Sequence, residues 1–341
     1  MPTTVLGGVG AGIIPEPFLR AESVAGKFFL MFFAIAFFAA VFGLVLFLAS
    51  LFKGRTGEKW QGVVFVAPAL VLLGVGLVYP AILTIIQSLR GRSGEDAFTL
   101  SNYSAMFTQP ELLIVLRNTA LWVILVPFLA TAIGLLYAIL IDRARGEAFA
   151  KALIFLPMAI SMVGAGIIWK FVYQYKQTSR PQIGLLNAIL KALGFETQQF
   201  LINAPLNTFM LIIVMVWIQA GFAMTVLSAA IKAIPDDIIE AARLDGVNAW
   251  SMFRKITLPS VRPTVVVVLT TIGIATMKVF DIVRTMTGGQ FKTSVVANEF
   301  YSQTFRADNQ GLGAALAVLL FILVIPIVWY NVRTLRQSEA S

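Results

Sequence analysis

The sequence predicts an all-α, polytopic membrane protein, and two observations support this prediction. Of its 341 residues, 58% are hydrophobic and only 13% are charged, which gives a mean hydropathy of +0.85. The charged residues also leave seven apolar runs that are long enough to cross a bilayer as helices of about 20 residues. A helix is the expected form, because lipid offers no partner to a backbone amide that is unpaired within its own segment.

The residue types that the chain lacks exclude several kinds of binding and catalytic site. Histidine and cysteine are both absent, so disulfides, thiolate or imidazole metal sites and any catalytic triad that needs either residue are excluded. The sequence has no G-x-x-x-x-G-K-[ST] phosphate-binding loop, since the early GGVGAG run has neither the lysine nor a preceding strand. We therefore expect a protein that is not an enzyme, holds no cofactor or metal and does not hydrolyse ATP itself.

The apolar runs follow one another along the whole chain, and each is predicted to form one membrane span. They cover Phe28–Phe52, Val63–Leu89, Asn118–Ile141, Ala152–Tyr173, Leu206–Ile231, Thr264–Val283 and Leu312–Val332. The first run exceeds the apolar core of a signal peptide and lacks a convincing cleavage site, so we expect a retained helix.

Seven spans place the termini on opposite sides of the membrane, and the charges of the loops indicate which side each occupies. With the N-terminus outside, the inner loops (53–62, 142–151, 232–263 and 333–341) hold 13 Lys and Arg residues in 61 positions. The outer segments hold 11 in 115 positions. Since Lys and Arg are enriched in cytoplasmic loops, the N-terminus is predicted outside and the C-terminus inside. The net charge of +9 then reflects orientation in lipid, and we expect no binding to nucleic acid.

One inner loop contains an unusually charged stretch, Ile234–Pro259, with seven charged residues. Pro235 suits the first position of a helix, and the two aspartates after it lie where the helix dipole favours negative charge. Gly246 is typical of the residue just past a helix end, and Asn248 can cap a second helix, which Pro259 closes. We expect a helix-turn-helix along the inner membrane face. Physical chemistry alone leaves open whether it is an ordinary amphipathic loop or an element that inserts into a groove on a cytoplasmic partner.

Polar residues within the fifth run are candidates for a translocation path. Trp217, Gln219 and Gly221 lie midway along it, where an unpaired amide in an apolar environment is costly. Gln219 either forms an interhelical hydrogen bond that holds the bundle together or lines the cavity through which a solute passes.

A second group of candidates lies at the end of the sixth run and directly after it. Lys278, Asp281 and Arg284 recur every three residues, which would place them on one side of one helix. They are expected to form an ion pair near the outer interface, to belong to the path of the substrate, or both.

The charged loop resembles the EAA signature of permease subunits of binding-protein-dependent ABC importers. The matching positions are Glu240, Ala241, Ala242, Asp245, Gly246, Ile256, Leu258 and Pro259. The similarity extends from about Val63 to the C-terminus, with weaker markers such as Phe155-Leu156-Pro157 and Gly184-Leu185-Leu186-Asn187. These markers are typical of the carbohydrate-uptake branch, in particular of permeases for maltose and other α-glucosides.

The resemblance implies an architecture and a set of partners. Residues 63–341 would form a six-helix permease core in the bacterial cytoplasmic (inner) membrane, and residues 1–62 an extension with one extra transmembrane helix. The loop at 232–263 would hold the coupling helix, which docks on an ATP-hydrolysing subunit. The implied partners are an ATP-binding ATPase dimer, a second permease subunit that completes a heterodimer, and an extracytoplasmic sugar-binding protein.

Two alternatives remain open from the sequence. The chain is either a sugar permease or an ABC permease for another solute, such as glycerol phosphate or a polyamine. An ion-coupled secondary transporter or channel is a further alternative. It usually requires buried carboxylates, and Asp281 is the one acid that the runs place inside a span.

Overall fold

The computed structural model describes residues 24–52, 57–92, 98–142, 144–177 and 180–339, and this part of the chain is helical without strands. The early GGVGAG run lies outside the described residues. We number the helices as follows: α1 Val24–Ser50, α2 Gly57–Ser88, α3 Ser101–Thr108, α4 Pro110–Ile141, α5 Glu147–Phe155, α6 Met162–Val172, α7 Leu185–Ala192, α8 Leu206–Lys232, α9 Asp236–Leu244, α10 Ala249–Met277, α11 Asp281–Met286, α12 Val296–Phe305 and α13 Gln310–Glu339.

The chain divides into two compact units, of which the first is Met1–Ile82. None of the apolar window of α1 is buried, and its phenylalanines include Phe32 and Phe38, which are 64% and 71% exposed. A helix that is apolar on every side and uncovered by protein is suited to contact with lipid. α1 coincides with the first predicted span, while its role as an extension outside the permease core stays a prediction.

The second unit, Leu83–Ser341, is built around α8. Two thirds of the apolar window of α8 is buried, and residues such as Leu211, Met215 and Met224 are fully enclosed. Lipid tails are as apolar as these side chains, so close van der Waals packing, and not exclusion of water, holds such a bundle together. α8 is therefore the helix against which the neighbouring membrane helices are positioned.

Glycines let two helices approach α8 closely. A Cβ added to Gly134 on α4 would lie 2.5 Å from the Cβ of Ala223 and 2.7 Å from the backbone nitrogen of Met224. On α8 itself, a Cβ added to Gly221 would lie 2.5 Å from the carbonyl oxygen of Ile154 on α5. Small residues at such crossings are typical of membrane helix interfaces, where they permit backbone contact.

The number of predicted spans agrees with the structure, but the fourth is not continuous. Six described helices are long and apolar enough to cross a membrane, and α5 with α6 makes a seventh if the pair counts as one span. The chain bends by 101° between Glu147–Ala159 and Met162–Val172. Pro157 has no amide with which to continue the helix, and the Ser161 hydroxyl accepts a hydrogen bond from Gly164 N at 3.0 Å to begin α6.

The prediction that Pro259 ends a short second helix in the charged stretch is wrong. That helix, α10, begins at Ala249 and continues through Pro259 to Met277 as a membrane helix. A wider π turn at Phe253–Thr257 precedes the proline, where the Leu258 amide bonds to the Phe253 carbonyl oxygen. This local widening is a recognised way for a helix to accommodate an irregularity, and a proline in the first turn of a helical segment loses no bond.

Candidate functional site

The charged stretch Ile234–Pro259 follows directly after α8, which ends at Lys232. Residues 233–235 connect α8 to α9, and Ile234 is buried at this connection. Asp236 and Asp237 occupy the first turn of α9, as predicted, while Pro235 stands one position before the helix. The two carboxylates therefore face the positive end of the helix dipole, which favours the start of a helix at this point.

The end of α9 is also fixed locally. Gly246 has φ +75°, in the left-handed region that favours glycine. Its amide bonds to the Arg243 carbonyl oxygen at 3.0 Å, and the Val247 amide bonds to that of Ala242 at 3.1 Å. These two bonds form a Schellman motif, so the predicted role of Gly246 as the helix-ending residue is confirmed.

α9 presents one free surface. Ala242 is buried against the protein, whereas Glu240 and Ala241 are exposed and Leu244 is 88% exposed. No hydrogen bond or ion pair links the Glu240 carboxylate to the described residues. A short helix with an exposed leucine, an exposed alanine and an unpaired acid offers a surface that a groove on another protein can cover.

The start of α10 completes the loop. The Asn248 side chain accepts a hydrogen bond from Ser251 N at 2.8 Å, which confirms its predicted capping role. Trp250 is 67% exposed and packs on Phe253, with ring centroids 5.6 Å apart. The remaining EAA positions, Ile256, Leu258 and Pro259, therefore lie on the same helix that enters the membrane.

A cleft of about 400 Å³ separates this loop from the ends of the membrane helices. Ile239, Arg243 and Val247 line one side, and Phe253 is part of the α10 wall. The opposite side is formed by Ile139, Asp142, Ile231 and Lys232. The EAA residues flank the cleft without lining it, and Glu240, Ala241, Asp245 and Gly246 are the members of the signature exposed on the loop.

An ion-pair network on the far side of this cleft was not predicted from the sequence. Lys151 Nζ lies 2.5 Å from Asp142 Oδ1 and 2.8 Å from Glu147 Oε1, and it also bonds to Ser228 Oγ. Ser228 donates in turn to Asp142 Oδ1 at 2.6 Å, and Lys232 pairs with Glu147. The spacing of Glu147 and Lys151, four residues apart on a helix, was the only local signal for it.

The residues predicted to line a path lie midway along α8. Gln219 is 8% exposed and forms no hydrogen bond with the described residues, so no interhelical bond is seen at this position. Trp217 is partly buried and meets Trp169 edge-on at 5.5 Å between ring centroids. Gly221 packs against the α5 backbone. Whether these residues contact a solute stays a prediction.

The predicted grouping of Lys278, Asp281 and Arg284 on one helix is wrong. α10 ends at Met277, and α11 begins at Asp281 after a short irregular link. No ion pair joins the three residues in the part of the chain that the structure describes. Arg284 stacks instead on the ring of Tyr301, with 4.7 Å between the guanidinium carbon and the ring centroid.

Aromatic residues connect two cavities at the end of α8 that is remote from the charged loop. Tyr173 lies 5.1 Å from Trp169 and 5.7 Å from Phe200 between ring centroids. Beside this row lie a cavity of about 510 Å³, whose polar lining includes Lys170, Gln174, Tyr175 and Gln199, and one of about 360 Å³ next to Trp217. Aromatic faces combined with side-chain amides that have no hydrogen-bond partner among the described residues suit a ligand that carries both hydroxyl groups and apolar patches.

Comparison with known families identifies the kind of protein to which this geometry belongs. A family model described as "Binding-protein-dependent transport system inner membrane component" matches residues 114–334. The chain is 48% identical over 278 residues to the alpha-glucoside transport system permease protein AglF of Rhizobium meliloti, covering 81% of this chain and 83% of that protein. It is 45% identical over 275 residues to the osmoprotective compounds uptake permease protein GgtC of Synechocystis sp., covering 81% and 99%.

A solved structure supports the fold. A chain from the crystal structure of a bacterial ABC transporter involved in the import of the acidic polysaccharide alginate superposes with a TM-score of 0.70 at 20% identity. The match covers 82% of this chain and 96% of that one. At this level of identity the similarity concerns the helical architecture alone.

Proposed function

Because this chain belongs to the family of binding-protein-dependent transport system inner membrane components, and is a permease of an ABC importer, we propose that it imports α-glucosides or similar small sugars. The observation that carries the sugar assignment is the 48% identity to an alpha-glucoside permease across 81% of the chain. The aromatic row and the free amides beside it agree in chemistry with a sugar substrate.

We infer that α9 couples this permease to an ATP-hydrolysing subunit. The support is its free surface, where Glu240, Ala241 and Leu244 are exposed at one end of the helix bundle. Since the chain carries no phosphate-binding loop, the energy of ATP has to enter through another subunit. A short exposed helix whose two ends are fixed by local interactions moves as a rigid element. It can therefore transmit a displacement of the ATP-hydrolysing subunit to the membrane helices.

The remaining partners and the orientation belong to the same proposal. The permease pairs with a second permease subunit, an ATPase dimer and an extracytoplasmic sugar-binding protein that delivers the substrate. The N-terminus lies outside and the C-terminus in the cytoplasm, which places the charged loop on the same side as the ATPase. In this arrangement Trp217, Gln219 and Gly221 lie between the point of delivery and the coupling helix.

A second candidate substrate class rests on a separate observation. The osmoprotective compounds uptake permease is 45% identical, and 99% of that protein is matched. Some small sugars are themselves osmoprotective, so the two classes overlap. Glycine betaine separates them, because it is an osmoprotectant that is not a sugar: its quaternary ammonium group binds to aromatic faces, and it has no hydroxyl groups for the amides to bond.

The test is uptake by the complete importer in proteoliposomes. The permease is reconstituted with its partner permease, ATPase and binding protein, and ATP-dependent uptake of labelled maltose, trehalose, sucrose and glycine betaine is measured. We expect uptake of at least one of the sugars and its loss in Glu240→Lys, which reverses the charge on the free face of α9. Lys191→Met, at an exposed position near the end of α7, serves as the control and should transport normally. Uptake of glycine betaine alone would reject the sugar assignment, and normal uptake by Glu240→Lys would reject the coupling assignment.

A further inference from the structure

The ion-pair network formed by Asp142, Glu147, Lys151, Ser228 and Lys232 joins three helices at the end of the bundle that bears the charged loop. Asp142 follows the last residue of α4, Glu147 and Lys151 lie on α5, and Ser228 and Lys232 lie in the last turns of α8. The two α8 residues are distant in sequence from the other three, so no local helix propensity brings them together. The network therefore adds a polar connection between the end of α8 and the α4–α5 turn to the close helix packing at Gly134 and Gly221.

Lys151 is the centre of the network. Its three N–H donors have three acceptors, namely Asp142, Glu147 and Ser228, so its bonding capacity is fully used. The Asp142 side chain is 7% exposed and that of Lys151 22%, while Lys232 at the outer edge is 46% exposed. Among the described residues, two lysines face two carboxylates, so the pairs that the structure shows are balanced in charge and connect three helix ends.

Such a network is a poor device for stability alone. Ion pairs near a buried carboxylate lose much of their Coulomb attraction to desolvation, and more exposed pairs contribute little, so neither kind adds much net stability. Their best-attested use is to specify one arrangement among several. A network of this kind therefore suits a function that depends on the relative position of the ends of α4, α5 and α8.

The connection between α8 and α9 makes the relative position of these helix ends important for coupling. Lys232 is the last residue of α8, and only residues 233–235 separate it from the first turn of α9. Asp142 and Lys232 form one side of the cleft whose other side is formed by Ile239 and Arg243 of α9. A displacement of α9 thus reaches the bundle through residues 233–235 and Lys232, at the position of the network.

We propose that this network is the rigid joint through which displacement of α9 moves the ends of α4, α5 and α8 as one body. Lys151 is its central positioning residue, and Asp142, Glu147, Ser228 and Lys232 complete it. The proposal rests on the coupling role of α9 proposed above. When the network is intact, closure of the ATPase moves α9 and the ends of α4, α5 and α8 together, and the bundle reorients. When the network is lost, α9 moves but the three helix ends do not follow it, so ATP is hydrolysed with little transport.

The test replaces the centre of the joint with apolar residues of similar size, in the double variant Asp142→Leu/Lys151→Met. The Glu147–Lys232 pair remains, so no single charge is left without a partner. In the reconstituted complex we expect normal assembly but at least about fivefold more ATP hydrolysed per labelled sugar taken up, as for loss of a typical coupling between two sites. Lys191→Met is the matched control and should keep the wild-type ratio. A wild-type ratio in an assembled double variant would overturn the proposal.

A second readout does not depend on the identity of the sugar. The chain has no native cysteine, so spin labels can be placed on Leu140→Cys of α4 and, away from the proposed docking surface, on Ile238→Cys of α9, which are 65% and 48% exposed. In the otherwise wild-type complex the distance between the labels should stay the same when the ATPase is trapped closed with vanadate. In the double variant it should shift or broaden. Equal behaviour of the two proteins would refute the joint even if the wild type imports none of the sugars.

A milder variant covers the case in which the double variant does not assemble. Lys232→Met removes only the exposed outer link of the network, so the bundle should tolerate it. We expect an intermediate rise in ATP consumed per sugar. If Lys232→Met keeps the wild-type ratio, the network contributes to packing and not to coupling. Absence of sugar uptake by the wild type would count against the proposed substrate and leave the label distances to decide the role of the joint.

Discussion

At the scale of single residues, the local signals of the charged loop were read correctly from the sequence. Gly246 and Asn248 occupy the helix-ending and helix-capping positions that their residue types favour. Both depend on bonds within a few positions of the chain, so they can be read without knowledge of the fold. The network around Lys151 pairs residues up to 86 positions apart, and no short-range pattern contains that information.

Gly246→Ala should loosen the end of α9. An alanine in the left-handed region costs about 1 kcal/mol, so the last turn of the helix should fray and present Leu244 less well. We expect less ATPase to co-purify with the permease and a lower rate of sugar uptake. Gly246→Asn is the control, because asparagine tolerates this conformation, and it should retain more of both. Equal loss in the two variants would show that the backbone conformation at 246 is not what matters.

Gln219→Leu should lower sugar flux without lowering thermal stability. The amide of Gln219 has no hydrogen-bond partner among the described residues, so leucine removes no bond and the melting temperature should be kept or raised. A fall in flux would then be due to lost contact with the solute. Gln182→Leu is the control, since its side chain bonds twice to the Lys176 backbone and its loss should lower the melting temperature. Unchanged flux in Gln219→Leu would assign that residue to packing.

At the scale of helices, the length of apolar runs predicted how many spans exist but not how they begin, bend or end. The fourth run continues across the break at Ile160 because all of its residues are compatible with lipid, while the bend depends on Pro157 and the Ser161 cap. The sixth run extended past Met277 because Val279 and Phe280 are apolar, although they lie outside the helix. Hydropathy responds to side chains, whereas helix ends depend on backbone bonds, so the two disagree at these points.

Gly134→Ala should separate α4 from α8. The added methyl group would lie 2.5 Å from the Ala223 Cβ and 2.7 Å from a backbone nitrogen of α8, so one helix has to move. We expect the free energy of unfolding to fall by about 1–3 kcal/mol, as for overpacking in a core. The detergent-solubilised protein should therefore melt at a lower temperature. Gly43→Ala on α1 is the matched control, because nothing lies within 4 Å of its added methyl group, and it should be neutral or stabilising. A similar melting temperature for both variants would contradict the close packing of α4 on α8.

At the scale of the whole molecule, composition predicted the class of protein, and the EAA pattern predicted its family. The 58% hydrophobic content indicated a membrane protein, and the absence of histidine and cysteine excluded the metal sites and catalytic triads that need them, before any helix was placed. The substrate path was harder to predict, because a translocation cavity is formed by residues from several helices and from partner subunits. Orientation is the one global property that the sequence predicts through an indirect statistical tendency, so it needs its own test.

The orientation prediction can be tested with single cysteines, since the chain has none of its own. Phe195→Cys lies in a predicted outer segment and Phe149→Cys in a predicted inner loop, and the two phenylalanines are 64% and 72% exposed. In spheroplasts, a membrane-impermeant maleimide should label Phe195→Cys and leave Phe149→Cys unlabelled; in inverted vesicles the pattern should reverse. The physical reason is the higher density of Lys and Arg in the inner loops, which resist transfer across the membrane. Labelling of Phe149→Cys from outside would place α9 on the outer face, where no ATPase could reach it, and would remove the basis for its coupling role.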